Sequence, residues 1–396
     1  MSTRTILVTD GEQRASLALV RSLGRAGHKV YTCSARGRSL AGASRFSAGE
    51  SAVANALTSP ESFVADVQRI IRDRSIDVLL PVTEASLLVL LPERDRLGVC
   101  VPFADAGAMR AISDKARLLG TAPSVGIAIP EQRVVRGATE WKSMLHSGIG
   151  FPVVLKPARS VAEHNGRRVK LAVRHAATQA QLEAEVRELD NAAYPILVQQ
   201  RIVGPGVGIF MLLWNGELLA TFAHRRIREK PPAGGVSVYR ESIAADHALV
   251  ARSRALLEHF GWRGVAMIEY KLDAATGTPY LMEVNGRFWG SLQLAIDSGV
   301  DFPTLLVSAA MGERPSPVGH YMKGIRSRWW WGDVDHVLVR LFRSEAALSL
   351  PPGFQSRWGT LRDFFTLWRP GDRNEVLRLD DPAPFIRETI EWIHRR

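Results

Sequence analysis

The sequence predicts an α/β protein in three parts, and three observations point there. The first hundred residues alternate short apolar runs with helical patterns. From Ser113 a long stretch of strands, turns and helices follows, with polar residues spaced along its strands. From about Arg326 the chain becomes rich in Trp and Pro and carries no assignable motif. The parts are residues 1–110, 111–325 and 326–396, the middle one splitting into a small lobe at about 125–200 and a large lobe at about 201–325.

Thr5-Ile-Leu-Val-Thr reads as a buried strand, Arg14 to Ala26 as an amphipathic helix and Gly27-His-Lys-Val-Tyr-Thr-Cys as a second strand. Phe63 to Arg74 reads as another helix and Val78-Leu-Leu-Pro-Val as a further strand, which together make a βαβ series. The Asp10-Gly11 junction lies where open α/β sheets bind ligands, but it lacks the full G-x-G-x-x-G pattern and is better read as a structural strand-to-helix turn.

Ser113-Asp-Lys opens a helix with an N-cap and a charged first turn, and Val125-Gly-Ile-Ala-Ile-Pro is a turn into a strand. Pro152-Val-Val-Leu-Lys-Pro reads as a strand, Arg159 to Arg168 as a polar loop, Val169-Lys-Leu-Ala-Val as its returning strand and Thr178 to Asn191 as a helix. Such a hairpin with a mobile polar tip suits a lid. Ile196-Leu-Val-Gln-Gln leads into a glycine-proline turn, and two strands flank Asn215-Gly216, a dipeptide favouring a tight hairpin.

Composition bounds the function. At 396 residues and 46% hydrophobic the chain can bury a substantial core. Cys33 and Cys100 lie far apart in apolar surroundings, so neither a disulfide framework nor a thiolate metal site is expected, and a reducing cytoplasm fits. No window approaches the roughly 20 apolar residues of a membrane span. The net charge of +11 is spread along the chain with no basic arm, which argues against nucleic acid and for attraction of an anionic substrate or nucleotide.

The chemistry concentrates in Val265-Ala-Met-Ile-Glu-Tyr-Lys and Pro279-Tyr-Leu-Met-Glu-Val-Asn, two strands joined by the polar turn Asp273 to Thr278. Alternate strand residues share a face, so Glu283 and Asn285 project together, and Glu269 faces them if the strands pair. Three oxygen ligands on rigid backbone are what Mg²⁺ needs when it also holds phosphates and waters. Taken alone, the two acids read equally well as solvated residues on alternating strands. Arg287 completes Glu-x-Asn-x-Arg with a planar cation suited to a phosphoryl group or oxyanion. Lys156 ends an apolar strand before Pro157, where a buried ammonium calls for an anionic partner, and Lys115 lies at a helix start. Gln199 sits on a strand edge that suits an adenine ring. Strand alternation places His224, Arg226 and Arg228 on one cationic face, against either a bound anion or solvent.

Ser113-Asp-Lys, Val154-Leu-Lys-Pro, Leu197-Val-Gln-Gln-Arg-Ile-Val-Gly-Pro-Gly, Glu269 and Glu283-Val-Asn-Gly-Arg resemble, in order and spacing, the ATP-grasp superfamily. The resemblance spans residues 1 to 325 and is strongest to carboxylate–amine ligase and carbamoyl-phosphate-synthase-like members. It implies a Rossmann-like N-terminal domain, a two-lobed α+β nucleotide module and a C-terminal extension. It also implies that Lys115 and Lys156 contact ATP phosphates, and that Gln199, with the backbone of Gln200 and Ile202, reads adenine. Glu269, Glu283 and Asn285 would hold Mg²⁺ or Mn²⁺, and Arg287 would steady an acyl phosphate; Arg226, from the cationic face read above, is a second catalytic candidate. Two positions depart from the family pattern: Gly206 stands where an acidic ribose contact is common, and Gln199 where glutamate is frequent.

The activity expected is ATP-dependent joining of a carboxylate to an amine, with amino-acid-like substrates. The alternatives are phosphorylation of a carboxylate without ligation, or nucleotide binding without catalysis. A homodimer is compatible with this reading. The Trp-rich tail fits a dimer interface, a substrate cover or a membrane-surface contact equally well.

Overall fold

The computed structural model describes residues 2–145, 148–164, 167–345, 347–351, 353–366, 369 and 371–395. A four-stranded parallel sheet forms the N-terminal region, in the order Ser47–Ala52, Lys29–Ser34, Thr5–Val8, Val78–Leu80. Three of these strands are the apolar runs anticipated from sequence. The fourth, Ser47–Ala52, is made of small and polar residues and was not anticipated, because an edge strand half open to solvent needs no apolar run. At the Asp10-Gly11 turn Asp10 has a left-handed φ of 55°, and its carboxylate accepts hydrogen bonds from the Thr83 N–H, the Thr83 hydroxyl and the Ser86 hydroxyl. The turn therefore anchors the start of the helix Glu84–Leu90, a structural role.

The helix that carries Lys115 runs from Lys115 to Thr121, and its cap is Asp114, which accepts from the N–H groups of Ala116 and Arg117. Of the Ser113-Asp-Lys stretch, Asp114 is therefore the cap. Ser113 instead ends the preceding helix, Ala106–Ser113.

The small lobe is an antiparallel sheet in the order Gln132–Val135, Ile196–Gln200, Val153–Pro157, Arg174–Ala176. Its return strand is Arg174–Ala176, not the expected Val169–Val173. Part of that stretch pairs instead in a separate hairpin, Val161–His164 with Arg167–Lys170. The tip of the anticipated lid, Asn165-Gly166, lies outside the described residues. The lobe has a core of its own, in which Val153, Leu155, Ile196 and Val198 pack on Trp141, Met144 and Leu182.

The large lobe is a seven-stranded sheet in the order Pro279–Asn285, Gly264–Leu272, Gly206–Trp214, Glu217–Lys230, Val236–Ser242, Arg326–Arg328, Asp372–Asn374. Asn215 and Gly216 turn the hairpin between its third and fourth strands, both with positive φ. One continuous apolar core joins this sheet to the N-terminal domain.

Among the described residues, those after 325 supply two strands of that sheet and three helices, Trp330–Phe342, Arg357–Phe365 and Ala383–His394. The tryptophans fasten the last helix down. Trp331 stacks on Trp392 at 4.2 Å between ring centres, and the Trp329 and Trp331 indoles donate to Glu388 and Thr389. No helix among the described residues is long and apolar enough to cross a membrane.

Candidate active site in the cleft between the lobes

A cavity of about 570 Å³ opens between the two lobes. Its small-lobe wall comes from the strands Val153–Pro157 and Ile196–Gln200, and its large-lobe wall from the strands Gly264–Leu272 and Pro279–Asn285.

The antiparallel register sets Glu269 opposite Glu283 and Met267 opposite Asn285. The three polar side chains converge: the Asn285 amide nitrogen lies 3.1 Å from Glu269 Oε1 and 3.0 Å from Glu283 Oε1. Arg287 donates to Asn285 Oδ1 at 3.0 Å, which fixes the amide from behind. Burial raises the Glu269 carboxyl, with Arg226 opposing that effect. Burial acts on Glu283 in the same sense, yet Lys115, the Asn285 hydrogen bond, Lys156 and Arg287 hold it down at about 2. Two half-buried carboxylates side by side, kept apart in protonation by their neighbours, form a hard-oxygen cluster on rigid strands. Among the described residues no group of three His, Cys, Asp or Glu side chains is placed to hold a metal, so an oxygen site here needs the asparagine.

Lys156 reaches the cluster from the small lobe, its Nζ 3.6 Å from Met282 Sδ, and burial lowers it to about 8. Lys115 approaches from the other side. It is not on the wall of the large cavity. Its Nζ lies 3.4 Å from Glu283 and 3.2 Å from the Ser160 hydroxyl, and its backbone N–H bonds to Ala158, tying the helix start to the small lobe.

On the hinge side, Gln199 is buried and donates to Gln132 at 2.7 Å, while its Oε1 has no partner among the described residues. The Gln200 N–H is taken by Glu131, and no partner for the Ile202 N–H is found among the described residues. Gln199, Gln200 and Ile202 all line the cavity, with Met267 and Met282 as apolar surfaces.

The cationic strand needs a correction. His224 and Arg226 do line the cavity, but Arg228 does not. The register shifts on both sides of Arg228, and the side chain turns away into a two-pronged bond with buried Asp333, 2.6 Å on each prong. A β-bulge resets the alternation from which a common face was inferred. Arg226 is bonded to Glu269 and, at 2.9 Å, to Glu229. Burial alone would depress Arg226, but these carboxylates raise it.

The fold of two lobes behind a parallel domain, with an acid–acid–amide cluster facing a lysine across a cleft, agrees with the motifs, and residues 192–331 match a family model described as ATP-grasp in the biosynthetic pathway with Ter operon. Residues 192–331 are thus similar to the ATP-grasp family. An L-amino acid ligase from Bacillus licheniformis superposes with a TM-score of 0.61 at 18% identity, over 80% of this chain and 76% of that one. The biotin carboxylase domain of a Hydrogenobacter thermophilus 2-oxoglutarate carboxylase, in complex with MgADP, ADP and bicarbonate, gives 0.63 at 13% identity over 82% and 73%. A Staphylococcus aureus N5-carboxyaminoimidazole synthetase complexed with ADP gives 0.62 at 12% identity over 82% and 81%. At these identities the likeness is one of fold. No curated protein matches the sequence.

The cleft also holds residues the sequence reading missed. Lys271 lies two positions beyond Glu269 in one strand and so shares its face, a signal that was there to be used. Glu229, Trp289 and Arg14 also line the cavity, and Arg14 comes from the N-terminal domain, which no local pattern reveals.

Proposed function

We propose that this protein is an ATP-grasp enzyme, an ATP-dependent carboxylate–amine ligase. ATP would phosphorylate a carboxylate, and an amine would displace phosphate from the acyl phosphate, giving an amide, ADP and phosphate. The observation that carries the reading is the convergence of Glu269, Glu283 and Asn285 on one point of the cavity wall, opposite Lys156.

Glu269, Glu283 and Asn285 would hold the magnesium once the Asn285 amide turns its oxygen, here bonded to Arg287, toward the acids, an assignment supported by the convergence of the three side chains and by the ionised state of Glu283. The ion, when bound, neutralises phosphate charge and orients the terminal phosphoryl group. Lys156, and Lys115 from beyond Glu283, add positive charge on either side. In this reading Gln199, Gln200 and Ile202 read adenine, supported by the unpartnered Gln199 Oε1 and Ile202 N–H at the hinge. Arg287, held against Asn285 and the Phe288 carbonyl, is preorganised for an oxyanion. Arg226 serves less directly, because its guanidinium is already engaged by Glu229 and Glu269 and so sets the position of Glu269. No covalent bond to the protein is required, so the chain's work is positioning and charge compensation.

ADP release measured with and without a pool of amino acids tests the reading. Release that depends on an acid and an amine together supports ligation. Release with the acid alone indicates phosphorylation only, and nucleotide binding with no release would leave a binding module. Glu283→Gln is expected to abolish release while leaving the fold intact, and full activity in that variant removes the metal assignment.

A further inference from the structure

The aromatic rings of the C-terminal segment fall into two sets. Trp330 and Phe364 pack inward, 5.8 Å apart between ring centres, and Arg328 covers the Phe364 ring at 4.5 Å while donating to the Phe364 carbonyl. Trp358, Phe342 and Phe365 face water. They are 82%, 80% and 67% exposed, more than any other Phe, Trp or Tyr among the described residues.

Helical spacing explains the split. In the helix Arg357–Phe365, Thr360 and Phe364 lie four apart and are buried, so the opposite face carries Trp358, Arg362 and Phe365, spaced by four and then three. Buried Arg340 donates to the Gln355 carbonyl at 2.7 Å, and Arg357 donates to the Arg343 carbonyl at 3.1 Å. These two bonds hold the end of the helix Trp330–Phe342 against the start of Arg357–Phe365. Phe342 and Arg343 thereby join the patch that Trp358 begins.

The exposed rings are interleaved with uncommitted cations. Arg343 and Arg357 form no ion pair among the described residues, and the Arg362 side chain is 82% exposed with Asp363 no nearer than 3.8 Å. The two acids beside them are already engaged: Glu345 lies 3.7 Å from Arg340, and Asp363 accepts from the Gln355 amide at 2.6 Å.

A partner must therefore take apolar rings and guanidinium groups at one level. A second copy docked about a two-fold axis would set these arginines against like charges. A peptide or small ligand needs a concavity, whereas rings this open stand on a rise of the surface. An anionic bilayer matches both features. Its phosphates pair with guanidinium groups, and Trp and Phe rings settle at headgroup level, where water gives way to acyl chains. The net charge of +11 favours the approach to such a surface.

We propose that Phe342, Trp358 and Phe365, with Arg343, Arg357 and Arg362, form a docking surface for the anionic headgroups of a lipid bilayer, to which the chain binds peripherally and reversibly. The assignment is independent of the ligase reading, because none of these six residues lines the cleft.

Cosedimentation of the full chain with lipid vesicles tests the surface. Binding is expected to phosphatidylcholine vesicles containing about one-third phosphatidylserine, not to pure phosphatidylcholine, and it should weaken as salt rises. Trp358→Ala should lower vesicle affinity about tenfold, and Arg343→Gln combined with Arg362→Gln about thirtyfold. ADP release and thermal midpoint should stay at the wild-type values in both variants, and if Trp358→Ala lowers the midpoint, the arginine pair decides alone. The proposal is overturned if anionic vesicles are not bound, if neutral ones are bound equally well, or if the arginine pair binds as tightly as the wild type. A single-stranded oligonucleotide bound more tightly than the vesicles would overturn it in favour of nucleic acid, and dimerisation lost in Trp358→Ala would overturn it in favour of a second copy.

Discussion

Charge is taken out of solvent to opposite ends in two places of this molecule. Around Asp333 and Asp381, where the C-terminal segment meets the rest of the fold, the charges are closed. Asp333 takes two bonds from Arg228 and one from Arg328, and Asp381 takes Arg21 at 2.8 Å, the Ser44 hydroxyl and the Arg45 N–H. In the cleft, Glu269, Glu283 and Asn285 hold one another in place but still face a cavity with Lys156 across it. A buried charge whose bonding capacity is filled inside the protein fixes architecture. One left facing a cavity is available for chemistry.

The contrast can be broken by substitution. Glu283→Gln should reduce ATP turnover by about a thousandfold or more, as loss of a preorganised electrostatic group does, with unfolding free energy changed by less than about 1 kcal/mol. Steady-state ADP release and urea unfolding on the same sample check it. A large stability loss would place Glu283 with the structural charges instead.

Asp333→Ala should do the reverse. It leaves Arg228 and Arg328 buried without their carboxylate and is expected to cost about 3–5 kcal/mol. The urea midpoint reads that loss, while turnover per folded molecule should stay near the wild-type value.

A subtler variant probes the link between them. Gly206 lies where a Cβ would come within 2.8 Å of Arg226 Cδ. Gly206→Ala should displace Arg226 from Glu269 and slow turnover by about tenfold, of the order of one charged hydrogen bond. Unaltered kinetics would show that Arg226 does not position Glu269.

The smallest effect expected is a proton. Burial holds Lys156 at about 8, below the ordinary lysine value, so it loses its charge as pH rises through 8. Bound phosphate favours the charged form and raises that value. Nucleotide binding at pH 9 should therefore take up close to one proton, seen as a binding enthalpy that differs between buffers of different ionisation heat. Affinity should weaken by up to about tenfold per pH unit above 8. Lys156→Arg stays charged and should abolish the uptake.

Much of the cleft was legible because strands impose a strict period. Glu283 and Asn285 share a face by alternation alone, and the polar turn Asp273 to Thr278 brings Glu269 beside them. The same rule failed at Arg228, where bulges that no residue announces shift the register. It also gave no view of Ser47–Ala52, whose residues carry no apolar pattern.

The sequence by itself determined the local periodicities: the parallel α/β beginning, the paired strands with their acids, and the Asn215-Gly216 turn. These follow from interactions between residues a few positions apart. Only the tertiary structure decided what Arg14, Trp289 and the Trp-rich tail do. Arg14 reaches Glu375 across 361 positions, and Arg21 reaches Asp381 across 360. Contacts of that span depend on how whole sheets pack, and no spacing along the chain encodes them.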